Sequence, residues 1–563
     1  MLPVSVKDGT GTSSSEVPRV AFMRLLLLLL ALWVTSDAGR PPPDATTHGG
    51  VWPLPQHLVY GRENRTIDPA HFDIVFDDNT GCDYISNARK TYKRWLFPFK
   101  KTSQSSGAEK FILEVKLREK CPRDGKVPPS DMNEHYKLTI SASGNAILKA
   151  EQIWGALRGL ETFSHLIWFC NKCQKYRIRT AVIDDKPRFP VRGYMIDTSR
   201  HFLSVNTIKR QIDLMAQNKL NILHWHLVDT ESFPYESVQF PELSAKGAYT
   251  PKHVYSQKTI AEIISHARLR GIRVVPEFDT PGHMGSWSGQ PGLLAECFDE
   301  KQQKTAANLF DPTKDRNFEF LEQFFGEIME VFEDDFLHLG GDEVSFWIEE
   351  CWSRNPKVLS FMEKHGFGNS TVKLENFYFS KLEELLQRVR PKNKRILYWQ
   401  EVFDQNKPPA NAIVHVWKGN TREEQMQKMA DVTAAGHQAI LSSCWYLNYI
   451  NYGPDWKEGN GKFYYCDPRD FNGTDAQKAL VLGGVIAMWG EFVDATNIEA
   501  RTWPRASAVA ERLWSDPEQT KSADVAWPRL HEFRCRMVAR GFRAEPNNAP
   551  DFCPQEWEEQ YLD

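Results

Sequence analysis

The chain has little excess charge of either sign: 69 Lys and Arg stand against 73 Asp and Glu, a formal net charge of -4. Without a basic surplus there is no electrostatic footprint for a nucleic acid, and that class of partner drops out. Several motifs that announce chemistry are also missing. No His-Glu-x-x-His run, no Gly-x-Ser-x-Gly run and no glycine-rich phosphate loop occurs, which removes the usual sequence routes to a zinc hydrolase, a serine hydrolase or a nucleotide enzyme. Cys170-Asn-Lys-Cys173 has no second Cys-x-x-Cys. It therefore makes no zinc ribbon and, outside a thioredoxin-like context, no redox centre. Long apolar runs are scarce as well. Beyond one run at 25–34 nothing approaches about eighteen uninterrupted apolar residues, so no membrane span is predicted.

That run follows Arg19 and Arg24 and precedes the small residues Ser36 and Ala38, the pattern of a secretory signal peptide over 1–38. Met23, directly before it, is a candidate start of translation. Ten cysteines, an even number on a secretory route, predict disulfides. Sequons at Asn64, Asn369 and Asn472 predict N-glycans on surface loops. The compartment implied is the lysosome or the extracellular space. Aromatic residues make up 12% of the chain, with 18 Trp; a large aromatic core explains this, and so does a cleft that stacks sugar rings.

At 563 residues two domains are the natural division. Residues 39–50, rich in Pro, Gly and Thr, read as a flexible start to the mature protein. From 51 to 188, strand-like runs such as Phe72-Asp-Ile-Val-Phe76 and Phe111-Ile-Leu-Glu-Val-Lys-Leu117 mix with a helical pattern at 150–168, giving a small α+β or α/β non-catalytic unit. The two prolines of Asp185-Lys-Pro-Arg-Phe-Pro190 mark the boundary. From 189 to 563, apolar strand candidates at 191–198, 221–228, 272–278, 336–340, 395–402, 412–417, 438–443 and 482–489 alternate with amphipathic helices at 205–217, 259–270, 317–332 and 372–389. The link between the last two candidates is the least regular. Eight such units close a parallel (β/α)8 barrel, the fold class predicted for this part.

Polar and aromatic residues cluster where these candidates end: Arg200, Asp229, Asp279 with His283, Asp342 with Glu343, Trp399 with Glu401, Trp417, Tyr446, and Trp489 with Glu491. Taken singly, each charge reads as a helix cap or ion pair and each Trp as core packing. Together, at the one barrel face where strand ends converge, they describe a pocket. Its focus is Phe336-Leu-His-Leu-Gly-Gly-Asp-Glu343, an apolar run whose glycines deliver two adjacent carboxylates. Carboxylates with Trp walls fit glycoside hydrolysis, which needs a proton donor and a group to capture the oxocarbenium-like centre. A metal set built from His224, His226 and Asp229 or His283 is the rival. Both imidazoles sit before the strand's end, and no metal is assigned.

His338-Leu-Gly-Gly-Asp-Glu343, Arg192-Gly-Tyr-Met-Ile-Asp-Thr-Ser-Arg-His201, His224-Trp-His-Leu-Val-Asp229, Pro276-Glu-Phe-Asp-Thr-Pro-Gly-His283 and Ala487-Met-Trp-Gly-Glu491 closely resemble the β-N-acetylhexosaminidases of glycoside hydrolase family 20. The likeness runs from Val51-Trp-Pro-Leu-Pro-Gln56 through Trp154-Gly-Ala-Leu-Arg-Gly-Leu-Glu-Thr-Phe163 to the C-terminus, and is nearest to the lysosomal α and β subunits of animals. It implies an exo-acting, retaining enzyme without cofactor that removes terminal β-linked N-acetylglucosamine or N-acetylgalactosamine. The substrate's own acetamido oxygen would be the nucleophile.

By the same resemblance Glu343 is the acid and base, Asp342 orients the acetamido N–H, Tyr446 donates to its oxygen, and His283 with Asp229 supports Glu343. Arg200 and Glu491 hold sugar hydroxyls, Trp399, Trp417 and Trp489 form the walls, and Asn448 matches the α-type subunit. The next residue departs from that type: Tyr449 replaces an arginine that helps accept charged sugars, which favours neutral substrates. Cys82 with Cys121, Cys297 with Cys351 and Cys535 with Cys553 match the family's lysosomal bridges, and Cys170 with Cys173 and Cys444 with Cys466 are expected to be additional. A homo- or heterodimer acting on glycan ends is implied. The alternative is a glycan-binding protein of the same fold with weak or no turnover.

Overall fold

The computed structural model describes residues 47–77, 82–98, 110–449, 451–458, 462–546, 548 and 552–553. The signal peptide expected at 1–38, and residues 39–46, lie outside them. Thr47–Gly50 were expected to be flexible, yet Glu532 accepts a 2.8 Å hydrogen bond from Gly49 N and both glycines are buried.

Seven strands form the first sheet: β1 (His57–Ile67), β2 (Phe72–Phe76), β3 (Phe111–Leu117), β4 (Tyr136–Ile140), β5 (Ala146–Ala150), β6 (Ile167–Cys170) and β7 (Lys175–Asp185). Their order is β1-β7-β4-β5-β3-β2, with β6 also on β7. Burial alternates along β3, β4 and β5, so one face packs and the other is wetter. The packed face meets helices Asp83–Trp95 and Ile153–His165; the second of these is buried all round. The helix is shorter than the 150–168 pattern because its apolar flanks belong to β5 and β6.

Then come β8 (Val191–Asp197), β9 (Ile222–Val228) and β10 (Arg273–Phe278), a two-stranded ribbon of β11 (Cys297–Phe298) and β12 (Lys304–Thr305), and β13 (Phe336–His338), β14 (Arg395–Trp399), β15 (Ile413–Val416), β16 (Gln438–Leu441) and β17 (Val481–Met488). Leaving the ribbon aside, these strands close in chain order into a parallel barrel in which β17 returns to β8. Every residue of β8, β9 and β10 is buried, because side chains fill the interior on one face and helices cover the other. All eight predicted strands are present. The fifth is shorter than the sequence suggested: residues 400–402 open a helix, Gln400–Asn406, and the apolar Val402 that extended the strand pattern is buried on it. Between β16 and β17 the described residues form only the short helical turns Phe463–Tyr465 and Asp475–Ala479, and the Cys444–Cys466 disulfide closes the link. The other four expected bridges are also formed. Asn369 and Asn472 are exposed in loops, whereas Asn64 is exposed on β1 beside a bulge.

The sheet and the barrel's N-terminal end meet through buried ion pairs. Glu134 accepts from Arg158 Nε at 2.7 Å and from Arg192 Nη2 at 2.6 Å, and Lys219 Nζ donates to Asp185 at 3.0 Å. Among the described residues no helix is long and apolar enough to cross a membrane.

Candidate active site

The turn after β13 has no alternative to glycine. Gly340 and Gly341 take φ of +67° and +95°, and a Cβ on Gly340 would lie 1.7 Å from Asp279 Oδ1. The turn sets Asp342 in the interior and leaves the Glu343 side chain 30% exposed toward the mouth. Glu343 and His283, at φ +53° and +55°, both hold the left-handed conformation that side chains disfavour, a strain characteristic of functional sites.

From the interior outward the charges alternate. Glu277, fully buried, accepts from His224 Nε2 at 2.7 Å and lies 3.0 Å from His226 Nδ1, off the ideal hydrogen-bond line. His226 Nε2 reaches Asp229 Oδ2 at 2.8 Å, and Asp229 Oδ1 reaches His283 Nδ1 at 3.0 Å. His283 Nε2 then faces Glu343 at 3.4 Å and Asp342 at 3.7 Å. Burial opposes charge on His226, but Glu277 and Asp229 outweigh it and raise its pKa to about 10. His283 is likewise raised against burial, by Asp229 and Asp342. Burial alone would raise Asp229; His283 and Arg200 hold it well below the usual carboxylate range.

Two buried carboxylates at the mouth share this environment. Asp279 and Asp342 are both pushed up, first by burial, and Asp279 the further because Asp342 repels its charge and accepts its proton. Of the two, Asp279 holds its proton the more firmly. Asp342 Oδ1 is buried and has no hydrogen-bond partner among the described residues. Behind it, buried Glu401 accepts from Trp417 Nε1 at 2.8 Å, pairs with Lys418 at 2.8 Å and meets the Glu343 backbone N–H at 3.4 Å. Burial, then Asp342, raises Glu401 to about 7.

The aromatic residues form one continuous wall. Trp399 lies 6.5 Å from Trp417 and 6.1 Å from Trp489, and Trp417 stacks at 6.2 Å on Tyr446, which stacks at 5.8 Å on Tyr449. Arg200 stands 5.2 Å over the Trp489 ring, paired with Asp229 at 2.8 Å and within the field of exposed Glu491. Asn448 follows on the Tyr446 loop, its side-chain oxygen buried and unpartnered among the described residues. A cavity of about 950 Å3 adjoins the wall through Trp417, Tyr446 and Tyr449 and is rimmed by Lys418, Arg422 and Lys462; Asp342 and Glu343 stand outside its lining.

Contacts thus join Glu343, Asp342, His283, Asp229, Arg200, Trp489, Trp399, Trp417 and Tyr446, with Glu491 beside Arg200 and Asn448 attached through its loop. His224, Glu277 and His338, and two sets around His283, approach closely enough to share a cation, but the His224 and His283 rings already face carboxylates at 2.7 and 3.0 Å. Sequence reasoning gave no role to Glu277, Glu401 or Asp197, the last of which ties Gly490 N (3.0 Å) and Arg200 (3.2 Å) to the end of β8. No local pattern marks Glu277, whose place follows from strand register: it lies directly beside His226 on one side and His338 on the other.

Comparison with known proteins bears on this arrangement. Residues 189–517 match the profile described as glycosyl hydrolase family 20, catalytic domain, and residues 51–166 one described as beta-acetyl hexosaminidase like. Beta-hexosaminidase A of Caenorhabditis briggsae is 54% identical over 546 residues, 95% of this chain and 98% of that one. Beta-hexosaminidase subunit beta of Homo sapiens is 42% identical over 542 residues, 94% of each. Among solved structures, the Flavobacterium johnsoniae chitobiase superposes with a TM-score of 0.74 at 28% identity, covering 88% of this chain and 74% of that one.

Proposed function

The chain belongs to glycosyl hydrolase family 20 and is a β-hexosaminidase, and on that premise we propose how its residues divide the reaction. Glu343, the half-open carboxyl at the mouth, protonates the glycosidic oxygen of a terminal β-linked N-acetylglucosamine or N-acetylgalactosamine. The acetamido oxygen attacks the anomeric carbon from the other face, giving an oxazolinium ion, and Glu343 then takes a proton from the water that opens it with retained configuration. The observation that carries this is the pair of carboxylates that the Gly340-Gly341 turn delivers side by side, with His283 Nε2 3.7 Å from Asp342 and 3.4 Å from half-open Glu343. Asp342 is placed to accept the acetamido N–H and offset its developing positive charge. The substrate's own acetamido oxygen then stands in for an enzyme nucleophile.

Tyr446 donates to the acetamido oxygen. Trp399, Trp417 and Trp489 enclose the ring, and Arg200 with Glu491 holds hydroxyls, so a sugar lacking the acetamido group leaves these partners unpaired. His283⁺, fixed by Asp229, stabilises negative charge on Asp342 and Glu343. Family membership and relatives named beta-hexosaminidase favour turnover over a binding-only role.

The test is release of a chromogenic leaving group from both β-N-acetylhexosaminides between about pH 4 and 7, with Glu343→Gln alongside. Cleavage of both sugars, greatest on the acid side and reduced about 10³-fold or more in the variant, is the expected result. A folded wild-type protein inert on both would overturn it. The cysteines, sequons and expected leader support a lysosomal or extracellular location. The subunit names of the relatives support a dimer with itself or a related chain, which light scattering of the purified protein decides.

A further inference from the structure

Glu277 is buried completely, yet a carboxylate inside a barrel needs a reason to stay there. Four side chains surround it. His224 Nε2 and His226 Nδ1 approach one oxygen at 2.7 and 3.0 Å, and Trp399 Nε1 and His338 Nδ1 approach the other at 2.7 and 3.3 Å. His338 cannot neutralise it: burial holds that imidazole neutral, with a pKa of about 3. Its Nδ1 accepts from Gly340 N at 3.1 Å, and its Nε2 lies 3.3 Å from His415 Nδ1. His415 is kept neutral too and ends on Ser442 Oγ at 2.7 Å. The charge of Glu277 is therefore met from the β9 side, by the same His226 that reaches Asp229.

We infer that Glu277 is a positioning residue for both halves of the site: one oxygen fixes Trp399 in the wall, and the other anchors the alternating charges that end on His283 beside Asp342 and Glu343. This rests on the hexosaminidase reading above. Without the Glu277 charge, His226 faces one carboxylate instead of two and holds its proton less firmly. Asp229 then keeps Arg200 at 2.8 Å but loses one of its cations, and the carboxylate that His283 leans on is less strictly fixed. The groups facing His283 are Asp229, Asp342 and Glu343, so loss of its proton would place negative charges together at the mouth.

The experiment is the pH dependence of kcat and KM for Glu277→Gln, His226→Gln and His415→Gln against wild type, each corrected for the folded fraction by circular dichroism. For Glu277→Gln the alkaline limb of kcat/KM is expected to move down by about one pH unit, kcat to fall about tenfold and KM to rise. His226→Gln, which leaves Trp399 its partner, is expected to reproduce the shift and the kcat loss with KM within about twofold. His415→Gln disturbs the ring stacked on Trp399 at 4.2 Å but lies off the charged path, and is expected to leave the limb in place. Should Glu277→Gln fail to fold, His226→Gln alone decides. An unmoved limb in a folded His226→Gln or Glu277→Gln overturns the inference, as does an equal shift in His415→Gln. An inert wild type would instead sink the hexosaminidase reading.

Discussion

Both ends of the barrel bury carboxylates, and they treat them oppositely. At the N-terminal end, against the seven-stranded sheet, each is met by a cation: Glu134 by Arg158 and Arg192, Asp185 by Lys219, Glu161 by Arg540 at 2.7 Å. At the mouth, Asp279 and Asp342 are pressed together with one oxygen each unpartnered among the described residues, and Glu401 is held close by. Pairing makes a buried charge rigid and inert. Crowding makes it hold a proton.

The largest effect that tests this contrast is at the seam. Glu134→Gln leaves two buried guanidinium groups facing a neutral partner and is expected to cost about 3–5 kcal/mol in urea unfolding, with kcat of the remaining folded enzyme unchanged. Asp342→Asn is the counterpart at the mouth. It removes a charge the fold does not neutralise well, so stability is expected to hold or rise while kcat falls about 10²–10³-fold. If Asp342→Asn destabilised the protein as much as Glu134→Gln, the mouth carboxylate would be structural and the contrast would fail.

A smaller effect separates the two ends by pH. Glu401 has a folded pKa of about 7, above the ordinary carboxylate value of 4.5, so between the two the folded state holds a proton that the unfolded chain has released. Its contribution to stability is greatest below about pH 4.5 and is lost as pH rises through 7, by about 3 kcal/mol. The seam runs the other way. Glu134 and Glu161 are lowered, against burial, by their arginines, so what they contribute is present above their unfolded pKa and lost in acid. Glu401→Gln is therefore expected to flatten the decline in stability between pH 5 and 7.5 and leave the acid limb as it was. An unchanged decline would mean that Glu401 stays ionised in the fold.

The same contrast explains what could be read without coordinates. Each barrel strand is an apolar run that stops at a polar residue, so strand count and mouth residues are visible in the chain. Arg200, Asp229, Glu343 and Trp489 stand out because they interrupt an apolar pattern at its end. Glu277, His338 and His415 lie inside strands, where burial on both faces erases the alternation that would say which way a side chain points. Their meaning depends on register between neighbouring strands, which no single strand encodes. Residues 400–402 were misassigned for a related reason, since an apolar valine on a short buried helix looks like the last residue of a strand. The Asp279 and Asp342 partnership joins loops 62 residues apart through the Gly341 N to Asp279 Oδ1 bond, beyond the reach of any local pattern.

The smallest expected effect lies at the rim, where neither pairing nor crowding operates. Tyr449 is 63% exposed and stacked on Tyr446, at the position where the resemblance to the α-type subunit calls for arginine. A charge at such a site is solvated, so it steers a substrate without altering the fold. Tyr449→Arg is expected to raise kcat/KM for a 6-sulfated glucosaminide relative to the neutral sugar about fivefold at low salt. The gain should shrink as the Debye length falls toward 8 Å near about 0.15 M, with stability unchanged within about 0.5 kcal/mol. A wild-type enzyme that already cleaves the sulfated sugar as efficiently as the neutral one would show that selectivity is set elsewhere, and the cations Lys418, Arg422 and Lys462 on the adjoining cavity would be the next to replace.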